Sequence, residues 1–424
     1  MSINITDFTW ITFVILSILM GGSIGRSYMW LVSGGTIVFL LVYKKGKGLR
    51  LNKLVKEYNC FIVYCVVNTL FYLVVTGFKS NGYIKSQLIE MLILAFAASY
   101  LTSYYVKSSH IIELVKKASW ILMLAGVIEE VTKFNITKYI GNEKYVAQYL
   151  VKDGRVISVF SHPIGYAIVL TFFFLIALYF PYKSKNKQST YILLILINLL
   201  CTKTRMAMIA VLISSIIYLI KSNKLRGFLR GKVNYTKNFL IYLFIIFLLA
   251  TVCIGLFHAK IAEFANSIAY RIIQMFTGGE QGIRLGVIAN YFKGLGENSV
   301  LGIIFGKGTG YASSYMIDNP IYYWNEMGDK VAWAETTDNM YITILMNYGV
   351  VGFILFLRVL ISAIKKIITE TDKSILFGCS GLIAVFFDLF FFEGLYWPVV
   401  MNVIGFYMAF ITKETRTQLG IGEQ

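Results

Sequence analysis

The chain has 424 residues, of which 57% are hydrophobic and 15% are charged. Its length would suffice for roughly two or three soluble domains, but this composition excludes a soluble globular protein and indicates an integral membrane protein. A net charge of +18 suggests nucleic acid as the partner of a soluble protein. Here the basic residues lie in the connections between apolar segments, so we expect no nucleic acid partner.

The apolar segments predict the fold. A membrane-spanning helix needs about 20 mostly apolar residues, and the chain supplies about twelve such crossings. Backbone polar groups must be satisfied inside the lipid, so the crossings are expected to be helices and the protein an all-α polytopic membrane protein. The candidate crossings are residues 8–24, 27–43, 59–77, 87–106, 112–130, 156–180, 190–202, 205–220, 239–257, 339–362, 375–392 and 395–412.

The basic connections predict the topology. Lysine and arginine concentrate in alternate connections, which the positive-inside rule assigns to the cytoplasm, together with both termini. These connections are residues 44–57, 107–117, 181–189, 221–238 and 363–374. The predicted domains are membrane helices over 1–257, an extracytoplasmic loop or cap over 258–338, membrane helices over 339–412 and a cytoplasmic tail over 413–424.

The segments 190–202 and 205–220 test this topology, because the first is short for a crossing. Thirteen residues of helix rise only about 20 Å. A single long helix over 190–220 would put two basic connections on opposite sides of the membrane, which the charge pattern disfavours. We therefore predict two helices whose junction, 202–205, dips below the outer surface and places Arg205 in the outer leaflet.

The long polar loop has internal organisation. Residues 259–276 place apolar side chains at helical spacing and predict an amphipathic helix at the membrane interface. A second short helix is predicted over Ile283–Phe292. A glycine-punctuated region from Gly294 to Gly310 follows, and then an aromatic stretch over 311–333 that is suited to stacking on sugar rings.

Four basic residues are candidates for binding an anionic substrate: Arg205, Lys203, Arg284 and Arg155. An arginine at membrane depth is costly and is usually held by a partner or a ligand. A guanidinium pairs two phosphate oxygens at once, which an ammonium does not. The alternative for Arg205, Lys203 and Arg155 is that they extend to the headgroups and mark helix ends. For Arg284 it is a solvated charge on a helix face.

Asp338 begins the tenth predicted crossing and is the candidate general base. The structural alternative is that its carboxylate caps the helix N-terminus, a role compatible with catalysis. Asp388, Glu393, Glu129 and Glu130 lie in or beside crossings, where they would neutralise arginines or relay protons. Ion-pair support within the bundle is the role we expect for them.

Several other kinds of site are not indicated. The glycine motif over 306–310, which contains Lys307, is not a P-loop, because that motif requires a glycine where Leu301 stands. Its glycines are expected to permit tight turns or close approach to a ligand. The three histidines are scattered and no His/Cys cluster is present, so no metal and no other cofactor are expected.

These features together resemble the superfamily of O-antigen ligases and Wzy-type polysaccharide polymerases, over about residues 150–360. The resemblance rests on the order and spacing of short motifs around a large outer loop. The motifs are Arg155 with Phe160-Ser161-His162-Pro163, the turn Thr202-Lys203-Thr204-Arg205, Arg284, Gly306-Lys307-Gly308-Thr309-Gly310, Asp338-Asn339-Met340-Tyr341, Leu345 and Tyr348-Gly349-Val350-Val351-Gly352. Ligases of the superfamily carry His-Asn where this chain has Asp338-Asn339, and the Asp-Asn form is more similar to the polymerases.

The resemblance implies the fold of lipid-linked-sugar glycosyltransferases and a metal-independent polymerase. It would join polyprenyl-diphosphate-linked oligosaccharide repeat units on the outer face of the bacterial plasma membrane, for an O-antigen or capsule. Asp338, Arg205 and Arg284 would be catalytic. Substrate-binding residues would be Arg155, Lys203, Asn339, Tyr341 and Lys307. The implied partners are membrane lipids and the flippase and chain-length regulator of the same pathway.

Two alternatives stay open. A ligase would transfer the glycan to another acceptor, and the sequence barely separates it from a polymerase. A flippase for lipid-linked oligosaccharides would also have about a dozen helices, but transporters are often built from two related halves with a site near the midplane. The large outer loop and the charges at the outer surface favour the enzyme.

Overall fold

The structure is a computed structural model that describes residues 33–38, 40, 42, 51–76, 82–106, 108–140, 143–222, 282–297, 299–324, 330–333 and 336–418. The predicted crossings 8–24 and 239–257, most of 27–43 and the predicted interfacial helix 259–276 lie outside the described residues.

The described chain is mostly helical. Its twelve principal helices are α1 Lys53–Val75, α2 Ile84–Tyr105, α3 Ser108–Thr132, α4 Pro163–Tyr179, α5 Lys185–Thr202, α6 Arg205–Lys221, α7 Gly282–Glu297, α8 Val300–Phe305, α9 Tyr311–Asp318, α10 Met340–Thr369, α11 Lys373–Asp388 and α12 Pro398–Gln418. Helix α2 begins with a π-helical stretch, Ile84–Ala95. Short helical segments cover Ile136–Ile140, Glu143–Tyr145, Val146–Lys152 and Gly394–Tyr396.

Three of the described helices, α1, α2 and α10, are long and apolar enough to cross a membrane on their own. Helix α4 and the stretch Pro398–Thr412 of α12 are shorter apolar helices. Exposed apolar residues of α1 recur at helical spacing: Val63, Val67, Leu70, Phe71 and Val74. The chain is therefore a membrane protein with several apolar helices.

Several predicted crossings have different boundaries in the structure. The segment predicted over 190–202 is longer, because α5 begins at Lys185 after the N-cap Ser184. Its 18 residues rise about 27 Å, close to the thickness of a hydrocarbon core. The segment predicted over 156–180 is shorter, because α4 begins only at Pro163, a residue favoured in the first turn of a helix.

The all-α prediction is wrong for the aromatic stretch, which contains a hairpin. Strands β1, Ile321–Trp324, and β2, Lys330–Trp333, pair antiparallel with Tyr322 opposite Ala332. Aromatic and β-branched residues favour the extended backbone of a strand, which explains why this stretch is not helical. The ammonium of Lys330 lies 4.7 Å from the centroid of the Tyr322 ring.

The chain divides into two compact units. The first contains residues up to Ser215 together with Ser299–Tyr311 and the chain from Asn339 onwards, and the second contains Ile216–Asn298 and Ala312–Asp338. In the first unit, α10 packs against α1 and α11, and α12 packs against α11 and the second half of α2. Aromatic rings from α4, α11 and α12 fill its core: Phe172, Phe377, Phe406, Tyr407 and Phe410.

Candidate active site

The turn between α5 and α6 confirms the prediction of two helices at this position. Lys203 adopts the left-handed conformation with φ 52°, which ends α5, and Arg205 begins α6. The hydroxyl of Thr202 donates to the carbonyl of Leu199 at 2.7 Å and accepts from the backbone N–H of Thr204 at 3.3 Å. The turn is thus fixed by its own threonines, while the side chains of Lys203 and Arg205 are exposed.

Arg155 lies against this turn although it is distant in sequence. Its Nε donates to the carbonyl of Thr202 at 3.0 Å, and a terminal nitrogen donates to the hydroxyl of Thr204 at 3.3 Å. The neighbouring backbone N–H of Val156 donates to the carbonyl of Cys201 at 3.1 Å. The half-buried guanidinium of Arg155 therefore holds the connection before α4 to the end of α5.

Lys203 completes a group of three predicted basic residues around one turn. Its ammonium donates to the carbonyl of Asp153 at 3.0 Å. It therefore bridges from the turn to the same connection that carries Arg155. We call Arg155, Lys203 and Arg205 the basic cluster. Two guanidinium groups and one ammonium group around one turn suit the oxygens of a phosphate or diphosphate.

Aromatic side chains lie beside the basic cluster. The guanidinium carbon of Arg155 is 6.0 Å from the centroid of the Tyr149 ring. Tyr149 contacts His162 edge to face, with ring centroids 4.5 Å apart, and His162 contacts Trp397 at 4.9 Å. The Nδ1 atom of His162 accepts from the N–H of Ile164 at 3.1 Å, so this nitrogen carries no proton.

Sequence reasoning did not predict that Tyr149, His162 and Trp397 pack beside Arg155. It weighed His162 only as a metal ligand and within a family motif, and it did not consider Tyr149 or Trp397. Among the described residues, no group of three or more His, Cys, Asp or Glu side chains is arranged to hold a metal ion. Metal independence stays a prediction. The proline that follows His162 in the sequence is the signal that would have identified it as a helix cap.

The start of α10 differs from the structural alternative, in which Asp338 caps the helix. The N-cap is Asn339, whose side-chain oxygen accepts from the N–H groups of Tyr341 at 3.0 Å and Ile342 at 3.2 Å. Asp338 precedes the cap and is left-handed, with φ 53°. Aspartate and asparagine tolerate this conformation better than most residues, which explains an Asp at this position. The carboxylate of Asp338 is therefore not needed as the cap of α10.

Tyr341 is packed within the first unit. Its hydroxyl donates to the carbonyl of Phe386 at 2.8 Å, and its ring contacts those of Phe353, Phe356 and Phe390. These contacts give Tyr341 a structural role in joining α10 to α11. Its role in substrate binding stays a prediction, as does that of Asn339.

The acidic residues expected to support the bundle through ion pairs differ in their surroundings. Glu393 is buried, and its carboxylate lies 2.5 Å from the hydroxyl of Thr343 in α10. Glu129 accepts hydrogen bonds from backbone N–H groups, and Glu130 pairs with Lys133 at 2.8 Å. In the described part of the chain Asp388 forms no ion pair. The expected ion-pair role is therefore met by Glu130, with a lysine, and is not seen for Glu129 or Asp388 among the described residues.

The glycine motif approaches a helix. Gly306 has φ 81°, and the N–H groups of Lys307 and Gly308 donate to the carbonyl of Asn347 in α10 at 3.0 and 2.8 Å. A Cβ on Gly306 would lie 2.4 Å from that carbonyl oxygen. Gly306 is required because the motif approaches the backbone of α10 so closely, and this agrees with the expectation that the glycines permit tight turns.

The same contact involves a kink in α10. Gly349 has φ 65° inside the helix, and a Cβ there would lie 2.4 Å from the carbonyl oxygen of Ile304. The kink frees the carbonyl of Asn347 for the glycine motif. The hydroxyl of Thr309 lies 2.8 Å from that of Tyr348, which anchors the motif further.

Gly349→Ala is therefore expected to destabilise the protein by about 2 kcal/mol or more, because the new methyl group needs both a left-handed backbone and space that a carbonyl occupies. The midpoint of thermal unfolding in detergent would measure it. Gly34→Ala is the matched control, since its Cβ would meet nothing within 4 Å. Equal midpoints for the two variants would contradict the role given to the kink.

The remaining predicted residues are placed as follows. The ammonium of Lys307 lies 3.2 Å from the hydroxyl of Tyr311 and 4.6 Å from its ring centroid. Arg284 lies in α7, which confirms the short helix predicted over Ile283–Phe292 and extends it to Gly282–Glu297. Of the predicted site residues, the structure brings Arg155, Lys203 and Arg205 together around one turn.

Part of the chain matches a known protein family. Residues 190–357 match the family model described as O-antigen ligase, Wzy_C. This segment is similar to the O-antigen ligase domain. It runs from α5 into α10 and includes Lys203, Arg205, Arg284 and Asp338, whereas Arg155 precedes it. No curated protein sequence matches the chain.

The match confirms the resemblance seen in the sequence. Members of the O-antigen ligase family are polytopic membrane enzymes, ligases or polymerases of polysaccharide biosynthesis that use lipid-linked glycans. The apolar helices of this chain agree with that setting. Its basic cluster combines Lys203 and Arg205 of the family segment with Arg155 from outside it.

Proposed function

We propose that the protein is a polysaccharide polymerase that joins polyprenyl-diphosphate-linked oligosaccharide repeat units on the outer face of the bacterial plasma membrane. The observation that carries the proposal is the basic cluster at the turn between α5 and α6, inside a segment that matches the O-antigen ligase family. Phosphate oxygens are the natural ligands of such a cluster.

The proposed reaction is direct glycosyl transfer. The hydroxyl oxygen of the terminal sugar of a new repeat unit attacks the anomeric carbon of the growing chain. The bond from that carbon to the diphosphate breaks, and the polyprenyl diphosphate leaves with the electron pair. The hydroxyl proton passes to Asp338 and from there to solvent. One displacement of this kind inverts the configuration at the anomeric carbon.

Arg205 and Arg284 would stabilise the negative charge that develops on the leaving diphosphate, because cationic donors are most effective in a water-poor setting. Arg155 and Lys203 would bind the same group in the ground state. Arg155 and Lys203 are already held in place by hydrogen bonds to the backbone and to Thr204, so little ordering of these two side chains is needed when the substrate binds.

Asp338 is the proposed general base, and its neighbour Asn339 supports the choice. Because Asn339 caps α10, the carboxylate of Asp338 is not committed to that task. Asn339, Tyr341 and Lys307 are proposed to contribute to the sugar-binding surface. No metal ion and no cofactor takes part in the proposed reaction.

The proposal includes the topology and the pathway. Twelve crossings, cytoplasmic termini and an extracytoplasmic cap over 258–338 are proposed from the charge pattern of the connections. Membrane lipids, a flippase and a chain-length regulator are the proposed partners. The glycan would be an O-antigen or a capsule.

Reconstitution in vesicles with one defined polyprenyl-diphosphate oligosaccharide tests this function. A ladder of products that differ by one repeat unit is expected. A single transfer to a different acceptor would instead identify a ligase. Translocation of the oligosaccharide without any new glycosidic bond would contradict the enzymatic function.

A further inference from the structure

The connection that carries Arg155 has an unusual backbone. Residues 153–162 form neither helix nor strand. Gly154 and Ser158 are both left-handed, with φ 60° and 52°. A residue with a Cβ disfavours this conformation, so contacts elsewhere must hold Ser158 in it.

Those contacts come from Glu129, which ends the apolar part of α3. One carboxylate oxygen accepts from the N–H of Ile157 at 3.0 Å, and the other accepts from the N–H of Ser158 at 2.6 Å. Two successive N–H groups that point to one anion form a nest, which a left-handed residue makes possible. Asn135 adds a third contact, because its amide donates to the carbonyl of Ser158 at 2.6 Å.

The position of Glu129 is costly without these hydrogen bonds. Its side chain is buried, with 2% of the residue exposed. In the part of the chain that the structure describes, no lysine or arginine forms an ion pair with it. The two backbone N–H groups therefore provide the stabilisation that a buried carboxylate requires.

Hydrogen bonds from Val156 and Arg155 link the nest to the turn of the basic cluster. Val156, the residue before the nest, donates its N–H to the carbonyl of Cys201 at the end of α5. Arg155 precedes it and donates to Thr202 and Thr204. Glu129 thus fixes one end of a short segment whose other end sets the direction of the Arg155 guanidinium.

We propose that Glu129 is a positioning residue that aligns Arg155 for the diphosphate of the lipid-linked substrate. It acts through the backbone of Ile157 and Ser158 and does not touch the substrate. This inference rests on the proposed function, because it assumes that the basic cluster binds a polyprenyl diphosphate. A buried acidic residue thereby takes part in binding an anion that it never contacts.

Glu129→Gln tests the inference, because glutamine keeps the size of the side chain but presents an N–H₂ group to one backbone donor. Glu130→Gln is the matched control, since Glu130 is the next residue and pairs with Lys133. Asn135→Ala is a second variant, for the case that Glu129→Gln does not fold. It removes the hydrogen bond from the Asn135 amide to the carbonyl of Ser158. Each variant is purified in detergent and first checked for a monodisperse elution profile.

Two readouts separate positioning from general stability. Amide hydrogen exchange of the peptide over 153–162 is expected to quicken by about tenfold in Glu129→Gln, because the Ile157 and Ser158 N–H groups lose their acceptor. The affinity for polyprenyl diphosphate is expected to fall by about tenfold in the same variant. Asn135→Ala is also expected to quicken exchange and to lower the affinity. Glu130→Gln is expected to change neither the exchange rate nor the affinity.

A double-mutant cycle with Arg155→Ala decides whether Glu129 acts through Arg155. If it does, Glu129→Gln lowers the affinity by less than about twofold once Arg155 is absent. Additive losses would overturn the inference, and so would unchanged affinity in Glu129→Gln together with faster exchange. If the wild-type protein binds no polyprenyl diphosphate at all, the proposed function fails with it. If the wild-type protein binds polyprenyl diphosphate, and Glu129→Gln, Arg155→Ala and the double variant bind it equally well, the positioning role alone is overturned.

Discussion

Replacing Arg205 with alanine is expected to lower the turnover of glycan transfer by about 100-fold or more, since loss of one group that stabilises transition-state charge has this magnitude in other enzymes. Arg205 begins α6 with an exposed side chain, next to the turn that contains Lys203 and that Arg155 contacts. Turnover by the purified variant in vesicles of defined lipid composition measures the effect.

Two comparisons make this result specific. Arg205→Lys keeps the charge but not the planar fork, so it should recover only part of the activity. Arg358→Ala removes an exposed arginine that lies 4.0 Å from Glu57, and it should behave as the wild type. Wild-type turnover in Arg205→Ala would remove this residue from the proposed catalytic group.

Asp338→Asn is expected to reduce turnover by about 10²- to 10⁴-fold, the usual contribution of a general base. Asparagine accepts the left-handed backbone that Asp338 adopts, so the substitution removes the charge while the start of α10 is retained. The KM for the lipid-linked donor should change little, because the carboxylate acts on the acceptor hydroxyl. Steady-state kinetics with the acceptor and the donor varied separately measure both parameters.

The control for Asp338 is its neighbour. Asn339→Ala removes the N-cap of α10 and should cost about 1 kcal/mol of stability, whereas Asp338→Asn should leave the thermal midpoint unchanged. If Asp338→Asn unfolds the protein at a lower temperature and retains wild-type turnover of the folded fraction, the carboxylate is structural and the proposed base is wrong.

Much of the helical fold follows from apolar periodicity. The predicted crossings 59–77, 112–130 and 375–392 correspond to α1, α3 and α11, because long apolar runs specify helices with little ambiguity. The ends of α5 and α4 were less predictable. A polar start such as Lys185 is helical only because Ser184 caps it, and the connection before α4 depends on a bond to Glu129.

The basic cluster could be predicted only in part. The residue types of Arg155, Lys203 and Arg205 indicated an anion site, and the turn between two helices followed from the charge pattern. That Arg155 binds Thr202, 47 residues away, depends on tertiary packing that no local pattern encodes. The glycine motif was recognised as a turn, but its partner Asn347 was not identifiable, because the kink that exposes the Asn347 carbonyl arises from a single glycine in an otherwise regular helix.

In the proposed reaction, each new glycosidic bond releases one polyprenyl diphosphate. The most direct measurement counts both products in one reaction, with a donor that is labelled separately in its lipid and in its sugar. We expect a constant ratio of one lipid diphosphate released per bond formed, and loss of both products in Arg205→Ala. Bond formation without release of lipid diphosphate, or release without bond formation, would contradict it.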